Sequence, residues 1–228
     1  YDSYLHFGSH QKNFQVRGHF GVDFSIIRVR LNERMAYEFG MVGLAHINMQ
    51  PNGIKFSVDN FHAAFGLFFG GQYTERFHWR FYPIYHLSAH LADGHDGSKI
   101  NGDLRAISNE QVRFEFIYLP VEQLQLGISY GAYFHSIQRK QLQGVLHVNV
   151  LFTLFPKRRA TPFIWLSNEL LNEAGWAYGF DLLIGARFVA KNKRGMSLAG
   201  RVYNLVHPGY YYRDQRSPCG GVELRFHL

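Results

Sequence analysis

The segment Tyr85–Asp93 reads Tyr-His-Leu-Ser-Ala-His-Leu-Ala-Asp and brings His86, Ser88, His90 and Asp93 close together in the chain. In an extended strand alternate side chains share a face, with neighbours on that face roughly 6.5–7 Å apart. His86, Ser88 and His90 then point the same way. Three kinds of chemistry suit them. Two imidazoles can ligate a metal, with Asp93 or a neighbouring carboxylate as a third ligand. His86 and His90 are about 13 Å apart in a strand, too far for one ion without a bend, so no metal site is assigned. Alternatively, His86 can accept the proton of a nucleophilic Ser88 while Glu110 or Glu115 orients the imidazole. The third possibility is structural: the side chains join a polar network in which every buried group finds a partner.

The pattern around these residues says what positions them. From Phe77 to Ala92 the chain alternates. Phe77, Trp79, Phe81, Pro83, Tyr85, Leu87, Ala89 and Leu91 fall on one side, and His78, Arg80, Tyr82, Ile84, His86, Ser88, His90 and Ala92 on the other. Strands of soluble proteins are typically about five to six residues long, and this run is far longer. An apolar, aromatic face backed by a basic, hydroxylated one suits a strand between lipid and a polar lumen. On that phasing His86, Ser88 and His90 face the lumen. Similar alternation runs through Met35–Gly43, Phe61–Phe69, Val112–Tyr118, Leu124–Phe134, Leu146–Leu154 and Tyr178–Phe188, with the first residue of each on the lipid side.

Short turns are predicted at Leu31–Arg34, Gln72–Arg76, Leu119–Gln123, Pro156–Pro162 and Lys191–Gly195. Longer loops are predicted at Gln50–Asn60, Asp93–Asn109, Ser136–Gln141 and His207–Pro218. Short turns on one side and long loops on the other mark bacterial outer-membrane barrels, whose strand number is even. About eleven strands lie beyond residue 18, and residues 3–12 supply one more to return the N-terminus to the periplasm. The expectation is an all-β, single-domain antiparallel transmembrane β-barrel of about 12 strands, spanning residues 1–228.

Composition agrees. Aromatic residues make up 17% of the chain, yet mean hydropathy is only −0.19, because lipid-facing and lumen-facing residues cancel in any average. No segment approaches the roughly 18 consecutive apolar residues of a membrane helix. The net charge of +7 comes without a nucleic-acid-binding motif or a clustered basic face, so no nucleic acid is expected as a partner. Cys219 is the single cysteine. Export implies a leader ahead of Tyr1 that is cleaved or lies outside this sequence. The final run Val222–Leu228 alternates up to the terminus and is similar to the signal read by the barrel-insertion machinery.

Lumen-binding candidates are Arg80, Tyr82, His86, His90, Arg113, Glu115 and Arg187, and His135 falls on the same side. The leading functional expectation is a structural or scaffold subunit of the cell envelope, its polar lumen largely plugged, in contact with outer-membrane lipid and other envelope proteins. A small-solute channel lined by Arg80, Arg113 and Arg187 is the alternative. A lipid-acyl hydrolase using Ser88, His86 and Glu110 is the second. No cofactor is expected, because no nucleotide fingerprint or phosphate loop is present.

Two resemblances attach to these residues. The His-x-Ser of His86 and Ser88, followed by a glutamate, resembles the arrangement in outer-membrane lipid A deacylases, whose site faces the membrane. The longer stretch His86-Leu87-Ser88-Ala89-His90-Leu91-Ala92-Asp93 is similar to the His-x-Ser-Ser-His-Leu-Gly-Asp motif of an outer-membrane β-barrel family. That family is the domain of unknown function numbered twelve-oh-seven. Ser108-Asn109-Glu110, Tyr203-Asn204 and His207-Pro208-Gly209-Tyr210-Tyr211-Tyr212 extend the match. Ala89 and Ala92 replace a serine and a glycine of that motif, and an Arg–Tyr pair expected near Gln125–Gly127 is absent. The resemblance implies architecture and location, and carries no established activity.

Overall fold

The computed structural model describes residues 2–10, 13–52, 55–91, 106–137, 141–173, 175–190, 194–204 and 219–227. They form twelve strands: β1 (Asp2–His10), β2 (Asn13–Arg30), β3 (Met35–Asn52), β4 (Lys55–Tyr73), β5 (Phe77–Leu91), β6 (Ala106–Val121), β7 (Leu124–Ile137), β8 (Leu142–Thr153), β9 (Ala160–Glu173), β10 (Trp176–Val189), β11 (Gly195–Asn204) and β12 (Cys219–His227). Each strand pairs antiparallel with the next, and β1 pairs with β12, so the sheet closes on itself. Closure leaves no strand edge, which is what allows a sheet to cross lipid. The strand count, the closed antiparallel sheet and the N-terminal strand all match the sequence-based expectation.

Side chains sort by face. Outward-facing aromatics pair across strands: Phe81 stacks on Phe114 at 4.6 Å between centroids, Phe39 meets Phe69 at 5.1 Å, and Tyr37 meets Trp79 edge-on. Such pairs add to the pairing energy of neighbouring strands and form the lipid-facing belt. The inward rows carry glycine where the wall must sit close to a large side chain. At Gly40 an added Cβ would collide with the Phe24 carbonyl oxygen and with the Phe68 ring.

Short turns lie at the expected end. At the β2–β3 turn the Asn32 side chain accepts the backbone N–H groups of Arg34 and Met35. This Asx-type contact supplies partners at the point where the ladder stops. The β9–β10 connection at the other end turns through Gly175, whose φ of +129° suits only glycine. One predicted loop is corrected. Gln50–Asn60 is not an extended loop, because β3 runs to Asn52 and β4 begins at Lys55. The register continues through Asn52↔Lys55, with a shift at Asn48/Met49 absorbing the irregularity. Most of the expected loops 93–109 and 207–218 lie outside the described residues.

The phase of β5 is also corrected. The register shifts between Phe81 and Ile84 against β4 and between Tyr82 and Tyr85 against β6, so β5 carries one extra residue there. Pro83, which has no N–H to give the ladder, sits inside that bulge. Below it Phe77, Trp79 and Phe81 face out and Arg80 and Tyr82 face in. Above it the faces exchange: Ile84 is exposed, whereas Tyr85, Leu87 and Ala89 are buried. A second shift, at Glu110/Gln111 against Tyr133/His135, makes both Phe134 and His135 exposed on β7.

Candidate functional site

The lumen is built from inward rows. On the β2–β6 side Phe68 is fully buried, packed with Tyr82, Tyr85, Leu87 and Ala64. The Phe68 ring meets Tyr82 at 5.7 Å, and Tyr82 meets Tyr85 edge-on at 5.7 Å. Guanidinium groups cover this cluster. Arg80 lies 4.2 Å above the Phe68 ring and Arg113 lies 5.2 Å from the Tyr85 ring.

Carboxylates hold both arginines. Arg80 bonds to Asp23 on β2 and, at 3.3 Å, to Glu38 on β3, so it reaches along the inner wall over Gly70 of β4. Arg113 donates to Glu115 at 2.7 Å and to Ser129 at 3.1 Å, while the Tyr82 hydroxyl donates to Glu115 at 2.8 Å. Every charge in this set has an opposite charge beside it, as burial requires.

A second ionic cluster stands opposite, on β10–β12. Arg201 grips Asp181 with two bonds, 2.9 and 2.5 Å, and donates to Glu223 at 2.7 Å. Arg225 donates to the other Glu223 oxygen at 2.8 Å. Arg17 of β2 and Arg201 both lie about 5 Å from the Tyr203 ring, which links β2 to β11 across the β1–β12 seam. Between the two clusters runs a row of three histidines on adjacent strands: His19 faces His46, and His46 faces His62, at 5.8 Å each.

Below these clusters, toward the short-turn end, are two of the cavities among the described residues; a third, of about 420 Å³, lies at the β2–β3 turn beside Arg28, Arg30 and Glu75. One of about 480 Å³ lies under β7–β12 and is lined by Arg187, Arg225, His227, Trp165 and Phe163 among others. The other, about 270 Å³, lies under β2–β6 beside Asp23, Glu38, Arg80 and Glu115.

Of the sequence candidates, Arg80, Tyr82, Arg113 and Glu115 come together in one network, and Arg187 lines the larger cavity. His86 and His90 do not face the lumen; the Pro83 bulge turns them and Ser88 to the outer wall. His135 follows them through the β7 bulge. There Glu110 bridges two imidazoles, with His86 Nδ1 at 3.6 Å and His135 Nδ1 at 3.3 Å. Ser88 pairs with Ser108 in the next row up. Of the motif that carries the family resemblance, His86, Ser88 and His90 stand on the outside of β5, Leu87 and Ala89 point inward, and Ala92 and Asp93 lie outside the described residues.

Sequence reading missed Asp23, His19, His46, Arg17 and Arg201. The signal for Arg201 was present, since Ser197, Ala199, Arg201 and Tyr203 alternate with Met196, Leu198, Gly200 and Val202. Among the described residues no group of three His, Cys, Asp or Glu side chains is placed to hold a metal ion.

This architecture recurs among solved barrels. The chain aligns over its whole length with the KdgM porin, covering 99% of that protein at 9% identity and a TM-score of 0.53. It aligns equally fully with the KdgM porin in complex with disordered oligogalacturonate, at 11% identity and 0.55. The NanC porin gives 8% identity and 0.53, with 98% of that chain covered. The fold is that of the outer-membrane β-barrels. No protein-family model and no curated protein sequence matches the chain. The barrel is an integral membrane protein in contact with lipid along its outer aromatic belt.

Proposed function

We propose that this barrel works as a membrane-embedded scaffold of the bacterial outer membrane, with a lumen shut by its own side chains. The observation that carries this reading is the buried set Phe68, Tyr82 and Tyr85, roofed by Arg80, which is bonded over β4 and β3 to Glu38 and Asp23. A conducting pore needs a continuous polar path with weak binding along it. Here the middle of the path is aromatic and its ions are matched. A small-solute channel needs that plug to move. The alternating C-terminal strand Val222–His227 suits recognition by the barrel-insertion machinery, and the outer wall is available to other envelope proteins.

Planar-bilayer recording of the purified chain tests the closed lumen. The wild type is expected to show no steady conductance. The Phe68→Ala, Tyr82→Ala double variant is expected to show stable openings. A large steady conductance from the wild type sinks the proposal.

One observation favours a second reading, acyl hydrolysis at the membrane surface. The Pro83 bulge sets Ser88, His86 and Glu110 on the lipid side together, with Glu110 beside the His86 ring. Among the described contacts Ser88 makes no hydrogen bond to His86, so the imidazole has to rotate before it can take the serine proton. Ser88→Ala assayed for release of fatty acid from outer-membrane lipid decides the matter. Loss of release supports the hydrolase, and unchanged release removes it.

A further inference from the structure

The two ends of the inventory of lumenal arginines differ. Arg80, Arg113, Arg201 and Arg225 each contact a carboxylate. Arg187 has no carboxylate partner among the described residues, although it faces inward between Thr161 and Ser197. It lines the cavity of about 480 Å³ together with Arg225 and His227, and among the described residues no Asp or Glu belongs to that wall. The rest of the lining is of two kinds. Thr153, Thr161, Ser197 and Gln125 offer hydroxyl and amide groups. Trp165, Phe163 and Leu183 offer apolar surface. Trp165 pairs with both Leu151 and Leu183, so its ring stands on a fixed apolar row. The Arg201–Asp181–Glu223 cluster spans the level of Leu183, which pairs with Arg201, and Glu223 also holds Arg225.

We propose that this cavity binds a small organic anion: one carboxylate or phosphate group seated on Arg187, with a ring or other apolar body against Trp165 and Phe163. The volume lies in the range of small-ligand pockets, about 300–1,000 Å³. The guanidinium fork matches the two oxygens of a carboxylate or phosphate. An excess of positive charge in a low-dielectric mouth attracts anions from solution. The short-turn end is periplasmic by the usual asymmetry of these barrels, so the ligand comes from the periplasm. The site goes beyond the scaffold reading and does not need the lumen to be shut. Conductance tests the plug, and ligand titration tests the cavity.

Isothermal titration calorimetry of the full chain in detergent micelles provides the test, with benzoate, its neutral analogue benzamide, and inorganic phosphate as probes. Benzoate is expected to bind at least about tenfold tighter than benzamide, because only benzoate can accept the charge-assisted fork. Arg187→Met is expected to remove this preference, and Arg187→Lys to keep part of it, since lysine retains charge without the planar fork. Arg158→Met, on the exposed Pro156–Arg159 turn, is expected to bind benzoate as the wild type does. Folding of each variant is checked by the heat-dependent gel shift of an intact barrel. Equal binding of benzoate and benzamide, or unchanged benzoate binding in folded Arg187→Met, overturns the site. Phosphate binding as tight as benzoate overturns the requirement for an organic body.

Discussion

The two halves of the lumen solve the problem of internal charge in opposite ways. Under β2–β6 the carboxylates Asp23, Glu38 and Glu115 meet the guanidinium groups of Arg80 and Arg113, and the smaller cavity there is walled by matched ions. Under β7–β12 Arg201 is matched by Asp181 and Glu223, Glu223 also holds Arg225, and the cavity wall carries Arg187 with no acid among the described residues. Saturated pairs stiffen a wall and recruit nothing. An unmatched cation costs little where water reaches it and keeps its affinity for an anion. The same residue types therefore build a plug on one side and a receptor on the other.

The largest effect that would break this contrast is at Arg201. The side chains of Asp181 and Glu223 are almost fully buried, and removing their shared cation leaves two facing carboxylates. Arg201→Met is expected to destabilise the barrel by about 3–5 kcal/mol, read by urea unfolding in micelles. A loss below 1 kcal/mol would show that the cluster is not a structural keystone. Next comes Gly40→Ala, expected to cost about 1–3 kcal/mol by overpacking. The new methyl group has to displace the Phe24 backbone and the Phe68 ring. Its unfolding midpoint should fall while Gly175→Ala, which meets no atom within 4 Å, loses only what its positive φ demands. Arg80→Met should cost less than Arg201→Met, about 1–2 kcal/mol, because Asp23 is nearly half exposed and water screens what remains. Arg187→Met should change stability by no more than about 0.5 kcal/mol. A larger loss would mean that Arg187 is structural and the proposed difference between the halves is wrong.

Much of the fold could be read from the chain because lipid imposes a period of two on every strand. Val112–Tyr118 and Tyr178–Phe188 needed no tertiary information, and their apolar residues face outward as read. Phase within a strand was less legible. A single extra residue exchanges the faces, and nothing in the alternation itself reveals where the count slips. Pro83 was the available clue, reinforced by Ile84 standing alone among polar neighbours. The candidate site suffered for this: His86, Ser88, His90 and His135 were assigned to the wrong face, whereas Arg80, Tyr82, Arg113 and Glu115, below the bulges, were not. Partners on non-adjacent strands were beyond reach for a different reason. Arg80 and Asp23 are 57 residues apart on strands that are not neighbours, and only the ordered, curved stack of β2 to β5 brings them together.

The bulge at Pro83 also reshapes the boundary with the membrane. On β5 the apolar outer row runs from Phe77 to Ile84 and then gives way to His86. On β10 it continues from Tyr178 to Phe188. At about 3.3 Å per residue the greasy wall beside β5 is shorter by roughly 10 Å of strand. A sheet of lipid with constant thickness cannot fit both sides at once, so the surrounding leaflet thins next to β5 or the whole cylinder leans. On that fit the polar strip of His86, Glu110 and His135 would meet lipid headgroups, which would give the protein a front and a back within the plane of the membrane.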